Sequence, residues 1–224
     1  MIEDFGPLWL TLQLAAITTV VLLVLGTPLA WWLAHTKSRL RPVIEAITAL
    51  PLVLPPTVLG FYLLILMSPN APIGGVWRDV TGGTLTFSFV GLVIASAIYS
   101  LPFMVQPLQG AFEAVGRAPL EAASLLRATP IDQFFTVATP MAIRGYITAV
   151  VLTFAHTVGE FGVVLMVGGN IPGETKVISI AIYEHVETLR YDQAHALSVV
   201  LLIFSFAVLM MVYTLNRRFP VGIR

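Results

Sequence analysis

The sequence predicts an all-α integral membrane protein with about five transmembrane helices, forming one domain over residues 1–224. Three observations carry this. First, 57% of the residues are hydrophobic and only 11% are charged, whereas soluble domains carry about 25% charged residues. Second, apolar runs recur at the length of a bilayer core, which takes roughly 20 helical residues to cross. Third, basic residues gather in alternate connectors, the pattern that sets membrane orientation.

The spans follow in order. The first covers about Leu10 to Leu33 and ends near "WWLAHT". The second, about Val43 to Met67, contains "LPLVLPPTVLG". Pro51, Pro55 and Pro56 are expected to break it, because each removes a helix N–H and frees a carbonyl. Exposed backbone at that depth is tolerated only inside protein or along a watery cavity. This helix should therefore face a path, with Thr57 as the nearest hydroxyl; a packing kink is the plain alternative. The third span covers about Phe87 to Leu108 and offers Ser96, Tyr99 and Ser100 as further donors. The fourth, about Met141 to Val167, holds His156 and Glu160 four residues apart, on one face if the helix is continuous. Ionisable groups inside a membrane are functional candidates. The pair reads either as a proton relay or anion contact, or as an interhelical hydrogen-bond pair beside Gly159 and Gly162. The fifth, about Ala194 to Leu215, reads as lipid-facing or packing surface.

Charge orients these spans. Lys37, Arg39 and Arg41, then Arg117, Arg127 and Arg144, then Arg217, Arg218 and Arg224 fall on one side. The other side holds Glu3, Asp4, Asp79, Glu174, Glu184, Glu187 and Asp192, against Arg78, Lys176 and Arg190. The basic side should be cytoplasmic, with the N-terminus outside and the C-terminus inside. A sixth span would invert the charge logic of the tail. "SPNAPIGGVWRDVTGGTLT" reads as an outer loop. Val177, Ile178, Ala181, Ile182, Val186 and Leu189 near helical spacing read as an amphipathic helix at the outer interface. Glu3 and Asp4 stand where a signal peptide would be basic, so the first span should direct insertion itself.

Between the third and fourth spans lies "PLEAASLLRATPIDQFFTVATP", within a segment of about 113–140. Pro119 suits a first helical turn, and Glu121 favours its dipole. Thr129, Pro130 and Asp132 form a cap, proline and capping-box signal for a second short helix. Thr139 and Pro140 repeat that signal at the start of the fourth span. A simple connector could be a few residues long. This one presents a shaped knob with the apolar Phe134, Phe135 and Val137.

These residues resemble the cytoplasmic signature of binding-protein-dependent ABC importer permeases. Glu121, Ala122 and Ala123 match its Glu-Ala-Ala, and Phe134, Phe135 and Pro140 match in position. Arg127 stands where that family usually has Gly, which would permit a tight turn. Thr139 stands where an apolar residue usually precedes the Pro. "LPLVLPPTVLGFYLL" and "GEFGVVLMVGGNIPGETKVISIAIY" resemble the membrane subunit of the molybdate group of these importers, with tungstate and, more remotely, sulfate as relatives. The resemblance implies a type I ABC importer permease fold in a bacterial inner membrane, working as a homodimer. It implies a coupling helix gripped by a separate ATPase that binds ATP and Mg, and an external binding protein that delivers the anion. It assigns coupling to Glu121, Ala122, Ala123, Arg127, Phe134 and Phe135. Pro55, Pro56, Thr57, His156 and Glu160 become the candidates for the path.

The chemistry excluded is equally specific. Cysteine is absent, which removes disulfides and thiolate sites. The nearest phosphate-loop match, Gly168 to Thr175, has Glu174 at the lysine position. The chain is therefore expected to be no enzyme, to hold no cofactor or metal itself, and, with zero net charge, to bind no nucleic acid. A proton-coupled secondary transporter using His156 and Glu160 is the competing reading; the absence of an internal repeat fits it poorly.

Overall fold

The computed structural model describes residues 5–218. Glu3, Asp4, Arg224 and the side chains of Arg217 and Arg218, which entered the charge reading, lie outside the described part. Among the described residues, three helices are long and apolar enough to cross a membrane unbroken: α1 (Gly6–His35), α5 (Phe89–Val115) and α12 (Tyr191–Arg218). α1 and α5 pack on each other and on α9 (Ile143–Val158). Leu22, Leu33, Met104, Leu108 and Phe112 from α1 and α5 form the main core. α12 lies outside this core. Only 11% of its apolar window is buried, against 39% for α1 and 44% for α5, so its apolar Leu202, Ile203 and Phe206 are left exposed.

The other two spans are not single rods. The second is α2 (Arg41–Val53) followed by α3 (Pro56–Met67), and the two meet at 113°. Leu54 is extended, as a residue before proline tends to be, and Pro55 has no N–H to continue the ladder. Pro51 does not break the helix as expected; it sits buried inside α2. The fourth span is shorter than read. α9 has 16 residues, about 24 Å at helical rise, and continues only after a break at Gly159–Phe161, as α10 (Gly162–Gly168). The break's freed backbone is satisfied by protein. Ser179 Oγ donates to the Glu160 carbonyl at 2.6 Å, as membrane burial requires.

Two connectors also differ from expectation. The glycine- and proline-rich outer loop contains a helix, α4 (Pro72–Thr81). Its signals are legible afterwards: Pro72 opens it, and Gly82 closes it in the left-handed region at φ +74°. The amphipathic helix is α11 (Ile178–Glu187), but its buried stripe is Val177, Ile178, Ile180 and Ala181; Val186 and Leu189 are exposed. Its start is pinned to α1, where Thr11 Oγ1 accepts from the Ile178 N–H at 2.8 Å. Lys176 pairs with Glu184 at 2.6 Å, and Asn170 donates to the same carboxylate at 2.8 Å.

The first two basic connectors share one end of the bundle. Arg41 at the start of α2 bonds Glu45 at 2.8 Å and Glu113 near the end of α5 at 2.6 Å, and Gln109 donates to both acids.

α3 and α10 approach so closely that side chains are excluded. A Cβ at Gly60 would lie 2.8 Å from Met166 Cβ and 3.2 Å from Val163 Cα. Gly60→Val is expected to cost about 1–3 kcal/mol by overpacking, read as a lower unfolding midpoint in detergent. Gly110→Ala, inside α5 and with open space for its Cβ, should not lower the midpoint and should raise it slightly through helix propensity. The Lys176 ammonium, and then the Asn170 amide, hold the Glu184 carboxyl below its ordinary range. Such a group stabilises the fold above its unfolded pKa and loses that contribution as pH falls through the folded value. The difference in melting temperature between wild type and Glu184→Gln should therefore be present at pH 7 and close under acid.

Candidate functional site

Two regions gather the residues singled out by sequence. The first projects from the basic end. α6 (Ala118–Leu125) begins with Pro119 at its second position and Glu121 in its first turn. It ends in a Schellman motif. The Ala128 N–H donates to the Ala123 carbonyl at 3.1 Å, and the Arg127 N–H to Ser124 at 2.9 Å. Arg127 holds the left-handed position that this motif requires, at φ +64°. The turn that glycine would make is thus made without glycine, at a backbone cost of about 1–2 kcal/mol. α7 (Pro130–Gln133) follows with the expected capping box: Thr129 Oγ1 accepts from the Asp132 N–H, and Asp132 accepts from the Thr129 N–H. The helix then widens into a π turn at Phe134–Ala138 and runs on as α8 (Thr139–Met141). Thr139 is helical rather than a cap, and α9 starts at Ile143 after a 74° bend.

The two phenylalanines part here. Phe135 is 65% exposed. Phe134 turns inward, edge-on to Trp31 at 5.2 Å, and packs on Phe112. Glu121 and Ala122 are exposed, and so are the apolar Leu125, Leu126 and Ile131. The two leucines and Ile131 are not among the residues that the sequence singles out. Their one signal was an apolar pair placed directly before a chain reversal.

The second region is a cavity of ≈ 510 Å³ where both broken spans meet. Pro56 and Thr57 at the start of α3, Tyr99 from α5, and His156, Glu160 and Gly162 around the α9–α10 break line it. Pro55 caps α3 without lining the cavity. Gly162 permits the junction, since a Cβ there would lie 2.7 Å from Pro56 Cβ. His156 and Glu160 do not share a continuous helical face, because α9 ends at Val158. Nor do they bond each other. His156 Nδ1 pairs with Ser100 Oγ at 2.9 Å, and Ser100 also meets Thr157 Oγ1 at 2.9 Å. The imidazole stacks on Phe103 at 4.0 Å and tilts against Tyr99 at 4.8 Å. Phe103 carried no sequence signal, being one apolar residue among many. Glu160 is 4% exposed, and neither carboxyl oxygen has a hydrogen-bond partner. The Ser96 hydroxyl is likewise buried without a hydrogen-bond partner among the described residues.

Apolar helices around a cavity built from two helix breaks, with an exposed apolar knob at one end, are the architecture of a polytopic membrane protein. The chain belongs to the family described as binding-protein-dependent transport system inner membrane component, whose model matches residues 26–220. It is 60% identical over 221 residues to the molybdenum transport system permease protein ModB of Azotobacter vinelandii, covering 99% of this chain and 97% of that one. It is 32% identical to the sulfate transport system permease protein CysT of Escherichia coli, covering 93% and 75%. Among solved structures, a bacterial ABC transporter for alginate import aligns with TM-score 0.77 at 17% identity, over 96% of this chain and 79% of that one. The methionine ABC transporter MetNI, in an inward-facing conformation, aligns with TM-score 0.73 at 18% identity, over 95% and 94%.

Arg127→Gly should raise stability by up to about 1 kcal/mol, strain relief being partly offset by glycine's greater unfolded entropy. Arg127→Val should lower it, since a β-branched residue fits that position worse. Unfolding midpoints in detergent read both.

Proposed function

We propose that this chain is the membrane subunit through which a binding-protein-dependent, ATP-driven importer admits molybdate. The observation that carries this is the 60% identity, over nearly the whole of both chains, to a molybdenum transport permease. Likeness to CysT at 32% keeps sulfate as the second reading, and tungstate shares the tetrahedral dianion chemistry. Two copies of the chain line the path, the basic end faces the cytoplasm, and an external binding protein delivers the anion at the opposite end. ATP and its Mg are bound by a partner ATPase.

In this reading, segment 113–140 is the coupling element. Leu125, Leu126, Ile131 and Phe135 form an exposed apolar surface beside Glu121, and such a surface fits a groove on another protein. Ala122 and Ala123 keep α6 slim enough to enter one. Phe134 and Arg127 act from within: one locks the knob to Trp31 and the α1–α5 core, the other shapes its turn. Push delivered to the knob then reaches α9 through the 74° bend.

Glu121→Lys should weaken co-purification of the ATPase while leaving membrane insertion intact; unchanged association would count against the coupling role. ATP-dependent uptake of labelled molybdate by the reconstituted complex, with tungstate and sulfate as competitors, identifies the substrate. Uptake that persists without the ATPase would refute the importer reading.

A further inference from the structure

We propose that the cavity at the start of α3 seats the tetrahedral oxyanion in transit, and that Glu160 serves it as a neutral hydrogen-bond donor rather than as a carboxylate. This rests on the importer reading and adds a place and a chemistry to it.

Two independent observations converge. One is the beginning of α3, a helix of 12 residues. Its first position is Pro56, so Thr57 presents the first free N–H, close to where a Gly162 side chain would stand. The first amides of a helix lack intrahelical acceptors and carry partial positive charge. Broken transmembrane helices aim such ends at anionic groups. The other observation is Glu160. A carboxyl group 4% exposed, with neither oxygen bonded, is unusual, because buried polar groups are nearly always paired. It lines the same cavity as Thr57, which makes a missing partner the natural account.

The form of that acid follows from its surroundings. Among the described residues, no Lys or Arg lines the cavity. An ionised carboxylate with no cation beside it is costly to bury, and the neutral acid avoids that cost. Ionised, it would repel a dianion; protonated, it offers an O–H. The remaining donors are neutral too. Thr57 and Tyr99 supply hydroxyls. With His156 Nδ1 engaged by Ser100, Nε2 is the nitrogen left for the cavity. A seat made of a helix end and neutral donors holds a dianion without trapping it, as conduction demands.

The test uses the complex with its ATPase and binding protein, reconstituted in vesicles. Glu160→Gln keeps a neutral donor and should retain ATP-dependent molybdate uptake. Glu160→Leu and Thr57→Val remove a donor to a charged ligand, which should lower uptake about tenfold or more, while ATP hydrolysis stimulated by loaded binding protein persists. Glu160→Gln as impaired as Glu160→Leu, or normal uptake with both donors removed, overturns the proposal. If Glu160→Leu fails to assemble, uptake by Glu160→Gln and by Thr57→Val decides. If wild type carries sulfate or tungstate instead, the same variants are read with that anion; only the substrate assignment then fails.

Discussion

The structure depends on a constraint of the bilayer: a backbone polar group that leaves a helix there must find a partner in protein or in a wet cavity. The chain leaves its helices twice within its spans, at Leu54–Pro55 and at Gly159–Phe161. It brings both departures to one place. Pro56 enters against Gly162, where a single methyl group would not fit. Ser179 from α11 takes the Glu160 carbonyl, and α11 itself is tied to α1 through Thr11. The cavity is the space left when these obligations are met.

The same economy governs the basic end. α5 runs past the expected membrane boundary to Val115 and carries Phe112 to the aromatic group around Trp31. Phe134 completes that group from the projecting segment. The knob is thus apolar on two sides, one spent on the bundle and one left exposed. Its turn is held by Arg127 in a conformation that costs energy, and backbone strain of this kind persists only where the surrounding structure over-determines it. Here the Schellman bonds and the capping box two residues later supply that determination.

Fold class, the three unbroken spans, the alternation of charge and the capping box of the knob's second helix were legible in the sequence. All of these are local: hydropathy over a window, a proline's missing N–H, a hydroxyl three residues before an acid. The α4 helix was missed although Pro72 and Gly82 announced it, because glycine and proline content outweighed their positions. Pro51 was read as a breaker because proline is one in isolation; in place, α2 absorbs it and the paired Pro55–Pro56 makes the bend.

The sequence by itself determined that this chain lives in a membrane, which residues could not be lipid-facing without reason, and where a water-compatible knob interrupts the spans. Only the tertiary structure decided that Thr57, Tyr99, His156 and Glu160 share a cavity, that His156 answers to Ser100 rather than to Glu160, and that Phe134 and Phe135 face opposite ways. The reason is physical. Periodicity reports a residue's face on an ideal helix, and these residues sit where the helices break, so their direction is set by packing across the chain.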